Sequence, residues 1–214
     1  DGGTTWTEVN TNDKSYSFGY SCIYDLDTWY LPCIINDYYN IMLLTKDGGQ
    51  TWTEIPEIFE YYGTNSVDFI SKDTGWVSGW ANQIAKTTDG GITWTPQQDF
   101  IVNHMVYDID FIDENNGWYS NSFGEIYRSQ DGGETWEMQS NIAQHYMFSI
   151  FALDPEHIWA AGSENTIIST VEPVVTVDAI EDHNFGSQDV LNIYPNPATE
   201  TLRIDRSGFS SGIM

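Results

Sequence analysis

TTDGGITWT, at residues 87–95, is one of four copies of a motif that sets the architecture of this chain. The other copies are DGGTTWT at 1–7, TKDGGQTWT at 45–53 and SQDGGETWE at 129–137. Successive aspartates of the motif are 46, 42 and 42 residues apart. A period near 42 residues with recurring aromatic residues is typical of the blades of a β-propeller.

The residue types of the motif are those that fasten a turn between two strands. The Asp side chain accepts hydrogen bonds from backbone N–H groups a few residues ahead, and the glycines take backbone angles that other residues resist. The Trp that follows buries a large ring between strands and neighbouring repeats. The recurring positions are Asp1, Gly3, Trp6, Asp47, Gly49, Trp52, Asp89, Gly91, Trp94, Asp131, Gly133 and Trp136.

Each repeat reads as four short antiparallel strands, which is the content of one propeller blade. In the third repeat, VYDIDFID from Val106 alternates apolar and polar residues as a half-buried strand does. WYSNS, EIYRSQ and TWEMQ are the next three strands, separated by turns at ENNG, FG and DGG.

The motif resembles the Asp-box, or BNR repeat, and the resemblance covers about residues 1–170. Asp-boxes occur in sialidases, xyloglucan-cleaving glycosidases, sortilin-like receptors and photosystem II assembly-factor-like proteins. TGWVSGWANQIAKTTDGGITWT, at 74–95, is most similar to the last group. The resemblance implies an all-β Asp-box β-propeller. It implies no particular function, because in these families the box lies away from the active site.

The fourth repeat, at 150–170, has three strand candidates and no box. Either its fourth strand is missing, or the N-terminal segment TTWTEV supplies that strand and closes a ring of four blades. We expect the first alternative, with about four blades that form a slice of a ring of about six to eight. Because the chain begins inside a repeat, we also expect it to be a piece of a longer protein.

A change of composition follows the repeats. Residues 171–188 read as a linker, and residues 189–214 resemble the start of a type IX secretion sorting domain (type A). The signature is Tyr194, Pro195, Asn196 and Pro197, ahead of TLRI. The alternative is an ordinary Pro-rich turn. The resemblance implies export by the type IX secretion machinery to the outer surface or surroundings of a Gram-negative bacterium.

The charge excludes several classes of partner. The chain has 32 acidic and 7 basic residues, a net charge of −25. Nucleic acids and anionic membrane surfaces both attract Lys and Arg clusters, so neither is expected. No apolar stretch is long enough for a transmembrane helix, and no cofactor motif is present.

Cys22 and Cys33 lie in the irregular first repeat. They either form a disulfide that staples its insertion in an oxidising compartment, or remain two separate buried thiols.

Catalytic chemistry finds limited support. Sialidases hold their substrate carboxylate with three arginines, and only Arg128 lies within the propeller repeats. A glycosidase needs two carboxylates. Asp68 and Asp110, 42 residues apart on the first strands of their repeats, are candidates that line a central channel or only flank the strand ladder.

Three further residues are candidates for ligand contact. His104 and His145 are 41 residues apart at the start of first strands, but a metal site typically needs three or four ligands. Trp80 breaks the repeat, since Asn121 or Ser122 stands in its place, and an aromatic at a turn either stacks on a ligand or packs under a loop.

The sequence therefore predicts a secreted or surface-attached, non-catalytic β-propeller that binds a protein or glycan through its loops. The alternative is a fragment of a secreted glycosidase of the xyloglucan-cleaving type. A third interpretation, an assembly factor of a membrane complex, follows from the repeat resemblance but conflicts with the sorting motif.

Overall fold

A computed structural model describes residues 5–9, 16–35, 39–56, 58–59, 63–97, 104–141, 143 and 145–170. The chain divides into two compact units, 1–171 and 172–214, and all described residues belong to the first. The predicted box positions Asp1 and Gly3, the linker and the sorting motif lie outside the described residues.

The described residues form four antiparallel sheets that follow one another along the chain. The first sheet contains β1 (Tyr16–Phe18), β2 (Cys22–Ile23), β3 (Trp29–Ile35), β4 (Tyr39–Thr45) and β5 (Thr53–Ile55). The second contains β6 (Thr64–Phe69), β7 (Gly75–Gly79), β8 (Ile84–Thr87) and β9 (Thr95–Pro96). The third contains β10 (Val106–Phe111), β11 (Gly117–Asn121), β12 (Ile126–Ser129) and β13 (Glu137–Ser140). The fourth contains β14 (Met147–Asp154), β15 (His157–Gly162) and β16 (Ile167–Ser169).

The second and third sheets each have four strands in sequence order, as the repeat predicts. In the first sheet, β1 and β2 both pair with β3, so the first strand of that blade is split in two. The fourth sheet has three described strands. Residues 5–9 form no strand and the Trp6 side chain is 90% exposed, so the described N-terminal segment does not complete this sheet.

Each described Asp-box closes on itself in the same way. In the box at 87–95, Asp89 Oδ1 accepts the Thr93 N–H (2.9 Å) and Asp89 Oδ2 accepts the Thr93 hydroxyl (2.6 Å). The Gly91 N–H donates to Thr87 Oγ1 (3.0 Å), and Gly91 has φ of +82°. Hydrogen bonds from the Thr93 side chain and backbone lower the pKa of Asp89 to about 2. The box is thus a turn held by an ionised carboxylate.

The core lies between successive sheets, where aromatic rings of one blade reach the next. Trp76 on β7 stacks on Phe111 of β10, with ring centroids 3.6 Å apart and planes at 5°. Its indole N–H donates to the Gly132 carbonyl in the next Asp-box (2.8 Å). Tyr30 on β3 stacks on Phe69 of β6 in the same manner (3.7 Å, 10°). The boxes therefore tie each outer turn to the second strand of the preceding blade.

Replacing Trp76 tests this contact. Trp76→Phe keeps a ring against Phe111 but loses the bond to Gly132, and we expect a loss of about 1 kcal/mol in the free energy of unfolding. Trp76→Ala also loses the buried ring and should cost about 3–5 kcal/mol. Urea unfolding followed by tryptophan fluorescence measures both. No loss in Trp76→Phe would contradict the role of the indole N–H, and equal losses for the two variants would contradict the role of the buried ring.

Candidate functional site

A cavity of about 340 Å³ opens along the first strands of the four blades. Its lining takes neighbouring residues from each strand, at 20–22, 66–68, 108–110 and 150–151. The repeat brings these segments together because the first strands of successive blades lie side by side. The cavity is therefore the channel side of the propeller arc.

Asp68 and Asp110, the two predicted carboxylates, both line this cavity. Asp68 Oδ2 accepts the backbone N–H of Phe111 (2.8 Å), and Asp110 Oδ2 accepts that of Ala152 (2.6 Å). Both amides belong to the first strand of the following blade, whose free edge has no strand to pair with. A buried unpaired N–H is costly, so each aspartate stabilises the next blade by accepting a hydrogen bond from an amide at its open edge.

Asp108 is a third carboxylate in the cavity, and it was not among the site residues predicted from the sequence. Its Oδ1 accepts the Ser66 hydroxyl (2.8 Å), and its Oδ2 accepts the Ile150 N–H (2.9 Å) and the Ser149 hydroxyl (3.2 Å). One side chain thereby links three blades. The signal in the sequence was its position two residues before Asp110, on the same face of the strand. We call Asp68, Asp108 and Asp110 the carboxylate row.

Burial dominates the electrostatics of the carboxylate row. It raises the pKa of Asp68 and of Asp108 to about 6, although backbone amides that donate to them act in the opposite direction. Burial and the charge of Asp68 raise the pKa of Asp110 to about 7. A carboxyl group that keeps its proton near neutral pH is suited to general acid catalysis. The row therefore has the proton affinity of a catalytic group and the contacts of a structural one.

The row continues at both ends with residues that are not acidic. The strand pairing aligns four equivalent positions, which are Cys22 opposite Tyr30, Asp68 opposite Trp76, Asp110 opposite Trp118 and Phe151 opposite Trp159.

Burial raises the pKa of the Cys22 thiol to about 12, so it stays protonated. Cys22 and Cys33 are both free thiols in this structure, with Cys33 buried and Cys22 half-buried.

Three of the first strands carry a β-bulge at the same position. The register shifts by one residue at Asn65 in β6, at Tyr107 in β10 and at Phe148 in β14. A bulge re-aims the side chain of the extra residue. Asn65 uses this freedom to donate its amide to the Tyr107 carbonyl (2.7 Å), and the other two positions carry aromatic rings.

The bulged rings belong to a cluster at the edge of the cavity, which we call the aromatic rim. Tyr107 lies 5.0 Å from Phe148 and 6.1 Å from Tyr146 between ring centroids. Tyr146 is 53% exposed and Phe148 37%. Tyr20, which also lines the cavity and is 44% exposed, completes the rim. Burial and the nearby charge of Asp108 raise the pKa of Tyr20. The Tyr20 N–H donates to the Asn65 carbonyl, and the Asn65 side chain donates to the Tyr107 carbonyl.

The other predicted contact residues lie elsewhere on the blades. Trp80 is 42% exposed and begins a 3-10 turn, Trp80–Asn82, between β7 and β8. The turns close through equivalent bonds, from Gly79 N–H to the Gln83 carbonyl and from Asn121 N–H to the Glu125 carbonyl, so Ser122 is the counterpart of Trp80.

The two histidines have different surroundings. His104 stacks on Phe123 at 3.9 Å, and its Nδ1 is 3.4 Å from the Glu125 carboxylate, whereas His145 is exposed. Within the described ranges, no three or more His, Cys, Asp or Glu side chains are grouped to hold a metal ion. The same residues contain no helix long and apolar enough to span a bilayer.

Comparison with protein families gives one match. The family model of photosynthesis system II assembly factor YCF48 matches residues 96–180. No curated protein matches the chain.

Solved structures give several matches. A structure described as YCF48 bound to D1 peptide is 24% identical, with a TM-score of 0.56 over 71% of this chain and 49% of its own. YCF48 from Cyanidioschyzon merolae is 17% identical, with a TM-score of 0.57 over 72% of this chain and 50% of its own. The GH74 enzyme of Niastella koreensis is 16% identical, with a TM-score of 0.54 over 71% of this chain and 30% of its own.

These matches define the class of protein. The chain is an all-β protein with BNR-type repeats and the fold of a β-propeller, as the sequence predicts. It spans about half the length of the two YCF48 structures and less than a third of the GH74 enzyme. Because these identities are all below 25%, the structural likeness shows the fold and not the function.

The carboxylate row predicts an unusual pH dependence of stability. The folded pKa of Asp110, about 7, lies above that of an unfolded aspartate, so the folded state binds the proton more tightly. The contribution of Asp110 to the free energy of unfolding is complete below about pH 4 and is lost as the pH rises through about 7. Asp110→Asn keeps an acceptor for the Ala152 N–H without titrating.

We therefore expect Asp110→Asn to gain stability relative to the wild type at neutral pH and to lose that advantage near pH 4. Chemical unfolding at several pH values measures the difference. Parallel stability curves for the two proteins would contradict the raised pKa of Asp110.

Proposed function

We propose that this chain is a non-catalytic β-propeller that binds a peptide segment of a partner protein at the aromatic rim. The observation that carries the proposal is the bulge repeated in β6, β10 and β14, which puts Tyr107 and Phe148 at equivalent positions with their rings 5.0 Å apart. Bulges next to binding sites serve to re-aim side chains. A repeated bulge that presents aromatic rings fits a surface built for contact.

The rim has the composition of a protein-binding surface. Tyr offers a large, rigid contact area with a polar end, and exposed clusters of aromatic residues mark interaction sites. Tyr20 and Tyr146 are about half exposed, so their rings are accessible to a ligand. The similar structure described as YCF48 bound to D1 peptide supports a peptide as the ligand class.

The contacts of the carboxylate row favour binding over catalysis. Each of its three carboxylates accepts a backbone N–H of the next blade, so each is committed to holding the arc together. Arg128 lies over the Trp118 ring at 5.1 Å and bonds Asn116, and it does not line the cavity. A sialidase-type arginine cluster therefore has no counterpart among the residues that line the described cavity.

The proposal includes a location outside the cell. Its support is the motif at Tyr194–Pro197 and its resemblance to type IX sorting domains. Partners in this setting are the secretion machinery during export and a protein or glycan afterwards. Mass spectrometry of the culture medium and the washed cell surface of the source organism tests it, and recovery of the intact chain only from the cell interior would overturn it.

Selection from a library of short random peptides tests the binding function. The immobilised full chain is expected to enrich a family of peptides, and calorimetry then gives their affinities. Tyr146→Ser combined with Phe148→Ser removes half the rim and should weaken binding about tenfold or more. Leu153→Ser is the control, because Leu153 is exposed on the same strand but is not part of the rim.

Two results would contradict the proposal. One is the absence of any enriched peptide. The other is equal affinity of the enriched peptides for the rim variant and for the Leu153→Ser control.

A glycoside hydrolase is the second candidate function. It is favoured by two carboxyl groups of raised pKa, Asp68 and Asp110, in one cavity, and by the structural likeness to a GH74 enzyme. Reducing-end release from xyloglucan and other polysaccharides measures it. We expect the wild type to release no more than Asp110→Asn does. Wild-type hydrolysis that disappears in Asp110→Asn would establish the enzyme and overturn the non-catalytic account.

A further inference from the structure

We propose that the bound peptide inserts an Arg or Lys side chain between the rings of the aromatic rim and onto the carboxylate row. This inference rests on the proposed peptide-binding function and adds the chemistry of the ligand. It is carried by the adjacency of rim and row, by the absence of a basic residue in the cavity lining, and by the charge of the chain.

The rim and the row meet at Tyr20, and they are adjacent along β10 and β14. Tyr20 belongs to both the rim and the cavity lining, and Tyr107 directly precedes Asp108 on β10. Phe148 directly precedes Ser149, whose hydroxyl donates to Asp108 Oδ2. Asp110 lies two residues beyond Asp108 on the same face of β10, so a side chain that passes Tyr20 into the cavity reaches Asp110.

The cavity has no cation of its own. Its lining contains three aspartates and no Lys or Arg among the described residues. Lys72 pairs with Asp25 at 3.3 Å, and Lys86 lies 4.7 Å over the Trp76 ring, on the outer strands of its blade. The chain as a whole carries −25. Electrostatic complementarity therefore favours a ligand that supplies the missing positive charge.

Both parts of the surface suit a cation on a flexible stem. An aromatic face attracts an ammonium or guanidinium group within about 6 Å. A carboxylate has two oxygens with about four acceptor positions. Asp68 and Asp110 each accept a backbone N–H of the next blade and leave room for a charged donor, whereas Asp108 already accepts four hydrogen bonds. The apolar stem of Arg or Lys packs along the rings while its head meets the carboxylates.

Ligand binding is then coupled to protons. Burial raises the pKa values of Asp68, Asp108 and Asp110, and repulsion from neighbouring aspartates adds to this at Asp68 and Asp110. A cation beside them favours the ionised form. The other titratable groups facing this space, Tyr20 and Cys22, have raised pKa values and stay protonated. Peptide binding near pH 6–7 should therefore release protons, which would come from the carboxylate row.

A double-mutant cycle tests the inference with peptides enriched by the full chain. Each peptide is made with its basic residue intact or changed to Gln, and measured against wild type and Asp110→Asn. The Gln change should weaken binding to wild type about tenfold and to Asp110→Asn less than about twofold. Asp68→Asn is the second variant if Asp110→Asn fails to unfold cooperatively. Asp73→Asn, an exposed site with the same charge change, should respond as the wild type does.

Calorimetry in two buffers of different ionisation enthalpy measures the protons. Release of protons on peptide binding near pH 6.5 by the wild type, and a smaller release by Asp110→Asn, supports the inference. Arginine amide is the remaining probe, and it should bind far more weakly than the peptides. Equal affinity of arginine amide would overturn the peptide as the source of the cation.

The outcomes separate the two proposals. Two results would overturn this inference and leave the binding function standing. One is that the peptides that bind at the rim contain no basic residue. The other is that changing the basic residue to Gln weakens binding equally for the wild type and for Asp110→Asn. The absence of any rim-dependent peptide would overturn both.

Discussion

The first strands of the third and fourth blades, β10 and β14, are sheet edges, and their outward N–H groups must find acceptors. No described strand pairs with them on the channel side, so the acceptors come from side chains of the preceding blade. Asp68 accepts from Phe111, Asp108 from Ile150, and Asp110 from Ala152. The third and fourth blades are therefore each completed by the preceding blade, and the inner side of the arc depends on these bonds as the outer side depends on stacked rings.

The chain uses aspartate in two opposite electrostatic settings. The described box aspartates are half-buried or exposed and accept several hydrogen bonds, and those from Thr51 lower the pKa of Asp47 to about 2. The aspartates of the carboxylate row face a small cavity whose described lining contains no Lys or Arg, and burial raises the pKa of Asp68 to about 6. The boxes are stable as anions, whereas the row is most stable when protonated. This difference makes the inner row, and not the repeated boxes, responsive to a positively charged ligand.

Much of the fold could be predicted from the sequence, because a local cause underlies each feature. The period near 42 residues corresponds to the succession of sheets, and the alternation from Val106 corresponds to β10. The three strand candidates of the fourth repeat correspond to β14, β15 and β16. Recurrence also placed Asp68 and Asp110 at equivalent positions. The sequence could not show that Asp68 and Asp110 serve the amides of the next blade, since that contact depends on how two blades pack.

The rest of the site depends on geometry without a sequence pattern. Asp108 is acidic where its counterparts are Ser66 and Ser149, so recurrence does not reveal it. The bulge residues Asn65, Tyr107 and Phe148 share no residue type, and only the register of pairing shows that they are equivalent. Whether Cys22 and Cys33 approach each other is likewise a matter of packing.

Hydrogen exchange of single backbone amides tests the sealed inner edge most directly. NMR of the wild type near pH 5 would follow the N–H groups of Phe111, Ile150 and Ala152, which face the channel and not a neighbouring strand. If the aspartates hold them, they exchange as slowly as the amides paired between β10 and β11. Exchange at the rate of the exposed turn amides would show that the inner edge is open, and would contradict the role given to the carboxylate row.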